Sequence, residues 1–145
     1  MLTTDQKGAI AEADIAAAAV GLGVGVYRPM FEGGRYDLIF EVGSMLMRVQ
    51  CKWATRNGGA VVVRCYSSRR GPDHMIVRRY TADEIDAIAA YCRETDRCYL
   101  LLPASFSGRR NVYLRVAPSR NNQHVGINWA DEFELGARLE ALVGP

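Results

Sequence analysis

Apolar and polar positions alternate most cleanly between Asp37 and Lys52. Gly43-Ser44 divides this stretch as a two-residue hairpin turn, with Gly at the first central position that a type II′ turn requires. In that register Val42 faces Met45, and counting outward Asp37 faces Gln50. Side chains on a strand point alternately to its two faces. One face then holds Leu38, Phe40, Val42, Met45, Met47, Val49 and Cys51, all apolar, and the other holds Asp37, Ile39, Glu41, Leu46, Arg48, Gln50 and Lys52. A slip of one residue would mix the two sets, so the pattern predicts the register as well as the strands.

The flanking elements follow from weaker signals. Thr4 is a plausible N-cap for a helix running to about Val20, ended by Gly21, Gly23 and Gly25. Strand-like runs cover Val24–Met30, Asp37–Val42, Met45–Ala54 and Ala60–Tyr66. Ser67 to His74 reads as an exposed basic loop turning at Gly71-Pro72. Thr81-Ala82-Asp83-Glu84 has the form of a capping box, predicting a helix through Ile85, Ile88, Ala89, Tyr91 and Cys92. Cys98–Leu102 and Val112–Val116 predict two more strands, and Asn128 or Ala130 to Leu142 a final helix. The order α-β-β-β-β-α-β-β-α, without repeat or linker, predicts one mixed α/β domain over residues 1–145.

A chain of 145 residues with 49% hydrophobic and 23% charged residues suits one folded domain. No apolar run approaches the roughly 20 residues of a membrane span, and Met1-Leu2-Thr3-Thr4-Asp5 does not open a secretion signal. Cys51, Cys65, Cys92 and Cys98 form no C-x-x-C pair and have no His at zinc spacing, which predicts reduced thiols in a cytoplasmic protein.

The net charge of +2 hides a segregation. Arg48, Lys52, Arg56, Arg64, Arg69, Arg70, Arg78 and Arg79 face one acid, Asp73, in the same stretch. Arg109, Arg110, Arg115 and Arg120 lie in an acid-free segment, while residues 1–47, 80–100 and 131–145 are each net negative. The cations are almost all Arg, which binds phosphate bidentately, so a polyanionic partner is one reading. Arg-rich codon usage with solvated side chains is the other.

On the polar face of the hairpin, Asp37 and Gln50 lie opposite one another with Cβ atoms expected about 4.5–5.5 Å apart. Lys52 points the same way, one step along. Two oxygen donors at that range can share a divalent cation such as Mg²⁺, and an adjacent ammonium can orient a water or steady a phosphate oxygen. An exposed strand face would carry the same residues, but the apolar run Ala60-Val61-Val62-Val63 in the next strand predicts a covered sheet. In the first helix Glu12 shares its ridge with Gly8, Ile15, Ala19 and Leu22, the packing side, whereas Asp14 turns toward solvent. An acid on the packing side needs a cation or a route to solvent.

A helix carrying Glu12, a strand opening at Asp37, a hairpin and Gln50-Cys51-Lys52 resemble the PD-(D/E)XK nuclease superfamily. Tyr36-Asp37 stands where Pro-Asp is usual, and Gln50 where Glu or Asp is usual. The chain from Thr4 through residues 80–91 to Cys98-Tyr99-Leu100-Leu101-Leu102-Pro103 is similar to small members related to group I intron-encoded homing endonucleases, some of which carry Gln at that position. The resemblance implies a restriction-endonuclease-like αβββαβ core, a mixed central sheet flanked by helices. It implies hydrolysis of phosphodiesters in double-stranded DNA with Mg²⁺, or Mn²⁺ in its place, by a homodimer or homotetramer. Glu12, Asp37 and Gln50 would hold the metal and Lys52 would act on the nucleophilic water. Arg56, Arg69, Arg70, Arg78, Arg79, Arg109 and Arg110 would contact DNA, and His74 would lie near phosphate; His124 receives no role.

A Holliday-junction resolvase would share these carboxylates and this basic surface. Gln50, which removes a charge from the metal site, also fits a non-cleaving DNA-binding module. No G-x-x-x-x-G-K-[ST] loop, G-x-S-x-G elbow or paired-His hydrolase motif is present, and Gly21-Leu22-Gly23-Val24-Gly25 follows a helix rather than a strand.

Overall fold

The computed structural model describes residues 1–118 and 125–143. Arg120 and His124 therefore lie outside the described residues. Helix α1 spans Thr4–Gly21, and its cap is Thr3 rather than Thr4. The Thr3 hydroxyl accepts the Gln6 N–H at 3.1 Å while the Gln6 side chain accepts the Thr3 N–H at 2.9 Å, a reciprocal box that satisfies two otherwise unpaired donors. Ala11, Ile15 and Ala19 form its buried stripe at helical spacing. Gly8 and Leu22, expected on that side, are exposed, and Asp14 is half-buried rather than solvated.

Strands β1 (Gly25–Tyr27), β2 (Leu38–Val42), β3 (Met45–Asn57) and β4 (Ala60–Arg64) follow. The β2–β3 register runs from Leu38 opposite Val49 to Val42 opposite Met45, as the hydrophobic pattern predicts. Gly43 takes φ +61° at the first central position of the turn. The apolar face is buried apart from Met45, which is exposed at the turn.

The predicted loop over residues 67–74 is instead part of an antiparallel ribbon, β5 (Tyr66–Arg70) and β6 (Met75–Arg79). The first strand is polar on both faces beyond Tyr66, so no alternation marks it, and backbone pairing alone makes it a strand. The Gly71 N–H donates to the His74 carbonyl at 2.9 Å, and a Cβ at Gly71 would lie 2.8 Å from that same oxygen, so the turn requires glycine.

The predicted helix through Ile85–Cys92 is likewise a strand, β7 (Ala87–Cys92), with all six residues buried. It pairs in parallel with β3 on one side and antiparallel with β8 (Arg97–Leu101) on the other. Ala87, Ala89 and Tyr91 pack in the apolar cluster beneath α1, and Ile88, Ala90 and Cys92 in a second cluster on the opposite side. A segment covered on both faces has no polar side for a surface helix to present. Thr81–Glu84 makes a single turn, closed by bonds from the Glu84 and Ile85 N–H groups to the Thr81 carbonyl at 3.1 and 3.2 Å.

Short helix α2 (Pro103–Phe106), strand β9 (Asn111–Arg115), a 3₁₀ turn over Ala130–Phe133 and helix α3 (Leu135–Val143) complete the chain. The seven-stranded sheet runs β1-β2-β3-β4-β9, with β7 and β8 joining along β3. The result is the mixed sheet with flanking helices that the sequence predicts, except that the segment expected as the second helix is the buried strand β7 and the segment expected as a basic loop is the β5–β6 ribbon.

Candidate active site

Strand β3 carries the polar residues of interest because it is shared. Val49 to Ala54 pair with β7, and Thr55 to Asn57 turn to β4. Gln50 and Lys52 thus sit beside a fully buried strand, both half-buried. Asp37 lies just before β2, where its N–H donates to the Val49 carbonyl at 2.9 Å and its carboxylate Oδ2 accepts the Cys51 N–H at 3.0 Å.

Two clefts meet at Asp37. The first, about 490 Å³, is lined by Glu12, Arg28, Asp37 and the loop residues 29–34. The second, about 440 Å³, is lined by Asp37, Gln50, Ser67, Arg69, Arg78 and Tyr80, among others. Gly33, Gly34 and Asp37 belong to both. The structure therefore brings Glu12 to one side of Asp37 and Gln50 to the other. Lys52 lines neither cleft. Its Nζ donates to the Tyr66 carbonyl at 2.8 Å and lies 5.1 Å from the centre of the Tyr80 ring.

Burial raises the Asp37 carboxyl above its ordinary value, against the lowering effects of the Cys51 N–H, Lys52 and Arg28. Burial also lowers the Lys52 ammonium, opposed by the attraction of Asp37. Each group favours the other's charge, and desolvation outweighs that help at both. The cysteines are all free; burial pushes the Cys51 thiol far up, Cys65 to about 11 and Cys98 to about 12, so none of these three is poised as a nucleophile.

Of the predicted DNA-contacting residues, Arg69 and Arg78 line the second cleft. Arg78 also pairs with Glu84, and Arg79 Nη1 donates to the Gly108 carbonyl at 2.9 Å. The Arg110 guanidinium lies 5.0 Å from the Tyr66 ring centre, fixing the ribbon against the turn before β9. Arg109 lines a separate groove with Asn111 and Arg115, Arg70 is exposed on the ribbon, and Arg56 bonds the Gly58 carbonyl at 2.9 Å in the β3–β4 turn. His74 is exposed in the ribbon turn.

Two further residues belong to the site without any sequence signal to announce them. Arg28 Nη2 lies 3.0 Å from Glu12 Oε1. Arg35 donates from Nη1 to Ser67 Oγ at 2.6 Å and from Nη2 to the Arg79 carbonyl at 3.0 Å, pairs through Nε with Glu84 at 3.0 Å, and stacks 4.1 Å over the Tyr80 ring. Nothing in their local sequence distinguishes them from other loop arginines.

A family model for PD-(D/E)XK endonucleases matches residues 2–136. The chain belongs to the PD-(D/E)XK endonuclease family. Its fold is similar to the solved structure of a bacterial homing endonuclease, with a TM-score of 0.77 at 23% identity, over 98% of this chain and 94% of that one. Comparison with curated proteins finds no match. PD-(D/E)XK nucleases in general use divalent metal ions. Among the described residues no group of three or more His, Cys, Asp and Glu side chains is placed to hold one. The donors present are two carboxylates and the Gln50 amide oxygen. This is a hard, all-oxygen set that suits a small divalent cation. No helix among the described residues is long and apolar enough to cross a membrane.

Proposed function

We propose that this PD-(D/E)XK protein is a Mg²⁺-dependent endonuclease of double-stranded DNA, acting as a homodimer or homotetramer in the cytoplasm. The observation that carries the reading is the position of Asp37, the shared wall of a cleft lined by Glu12 and of another lined by Gln50. Glu12, Asp37 and Gln50 would hold the cation through their oxygens, with Mn²⁺ able to replace Mg²⁺. When bound, the cation supplies charge stabilisation at the phosphate and lowers the pKa of a water.

The chain's own residues do the rest. Lys52 is held in place by the Tyr66 carbonyl. Its lowered pKa brings its proton exchange closer to neutral pH, which suits a group that orients or deprotonates the attacking water. As an ammonium it also offsets charge building on the phosphate. The β5–β6 ribbon carries Arg69 and Arg78 on the wall of the second cleft and Arg70 and Arg79 at the adjacent positions, and with Arg56, Arg109 and Arg110 these would contact DNA phosphates and base edges. A two-stranded ribbon is narrow enough to enter the major groove. The similarity to a bacterial homing endonuclease supports DNA as substrate.

Nicking of supercoiled plasmid tests the reading. Cleavage is expected with Mg²⁺ and lost in Asp37→Ala and in Lys52→Ala; cleavage kept in both variants would overturn the site. Gln50, which supplies a dipole where a charge is usual, favours a second reading as a non-cleaving DNA-binding module. That reading predicts retardation of duplex without any nick. Preference for four-way junctions over linear duplex would indicate a resolvase.

A further inference from the structure

Arg28 follows β1 and reaches into the wall of the first cleft. Its salt bridge to Glu12 Oε1, at 3.0 Å, is the only one it makes among the described residues. Asp37 lines the same cleft as Arg28 and Glu12, so the guanidinium shares a wall with the second carboxylate as well. One side chain thus acts on both carboxylates of the metal site proposed above, on which this inference rests.

We propose that Arg28 is the resident counter-ion of the Glu12–Asp37 pair and is displaced when a divalent cation enters. Gln50 contributes an amide dipole and no charge, so Glu12 and Asp37 carry the negative charge that Arg28 and Lys52 balance. A guanidinium and a dication cannot share one carboxylate oxygen without strong like-charge repulsion. The two cationic side chains differ in how easily they leave. Lys52 is half-buried and tied to a backbone carbonyl, whereas the Arg28 side chain is 68% exposed. Water can take over the Arg28 guanidinium at little cost, so Arg28 is the cation that yields. It acts as a positioning residue: it holds Glu12 toward the cleft and sets the affinity at which metal is admitted.

The test is a Mn²⁺ titration of the full chain without DNA, followed by electron paramagnetic resonance of the free ion. Arg28→Ala is expected to tighten Mn²⁺ binding about two- to fivefold, the range for releasing one partly exposed ion pair. Arg28→Lys should return the affinity toward wild type. The metal-free melting temperature should fall in Arg28→Ala, while Mn²⁺ raises it further than in wild type. A purely structural role would lower the metal-free value without tightening the metal. If Asp37→Asn abolishes Mn²⁺ binding but Arg28→Ala binds no more tightly than wild type, the counter-ion role is overturned and the metal site stands. If no Asp37-dependent Mn²⁺ binding occurs in either background, the metal site and the counter-ion role fall together.

Discussion

Asp37 Oδ2 accepts the backbone N–H of Cys51 across the β2–β3 hairpin at 3.0 Å. One carboxylate oxygen is thereby committed to the residue between Gln50 and Lys52. The hairpin register that pairs Leu38 with Val49 also fixes the distance between the acid and its partners.

Asp37→Asn keeps an oxygen that can accept this bond but removes the charge. Cleavage should fall at least about a hundredfold, as expected when a metal ligand is neutralised. The raised Asp37 pKa has a definite stability sign. The native state holds the proton to higher pH than the unfolded chain, so this group's contribution is most favourable below the unfolded value of 3.8 and is lost as pH rises through the native pKa. Asp37→Asn should therefore melt at or above the wild-type temperature at pH 7.

Lys52 has the opposite slope. Its native pKa is lowered, so between that value and the unfolded 10.5 the unfolded chain binds the extra proton and stability rises with pH. The buried thiols slope the other way, so the Lys52 contribution is read as a difference: the wild-type urea midpoint minus that of Lys52→Ala should grow as pH rises across the alkaline range. Cleavage by Lys52→Ala should drop about 10²–10⁴-fold, the usual worth of a general acid–base group.

Arg35 clamps the ribbon to the rest of the site through Ser67, the Arg79 carbonyl, Glu84 and Tyr80. Arg35→Ala should cost about 1–3 kcal/mol, because it strands half-buried partners. Amide exchange in β5 and β6 should accelerate well before that in β7.

Arg69 and Arg70 are exposed at the end of the ribbon strand. Replacing both by Ala should leave the melting temperature unchanged and weaken duplex binding. The slope of log affinity against log salt should shrink by about 0.9 for each phosphate that the variant no longer neutralises. An unchanged slope would remove these two from the DNA surface.

The β2–β3 hairpin is legible in the sequence because only one of its faces is apolar, and that asymmetry specifies register. Glu12 is legible as an acid near a packing ridge. The ribbon is not, since Ser67, Ser68, Arg69 and Arg70 give no alternation to read. Strand β7 misleads for the reverse reason. Ala87, Ile88, Ala89 and Ala90 are small and apolar throughout, a pattern compatible with a buried helix or a buried strand, and the preceding Thr and Glu favour helix. Placement between β3 and β8 decides it, and a single chain segment does not encode its neighbours. Arg28 and Arg35 escape a sequence reading because their partners, Glu12 and Glu84, are remote along the chain.

The parallel pairing of β3 with β7 also sets an order of assembly. The β2–β3 hairpin closes through a two-residue turn and needs no distant segment. The half of β3 bearing Gln50 and Lys52 gains its strand partner only after the chain has travelled through β4, β5 and β6 and come back. Pairings between distant segments form late because long loops are slow to close. A nascent chain thus displays Asp37 and Gln50 early, in open water, and closes a covered wall beside them only when Ala87–Cys92 docks.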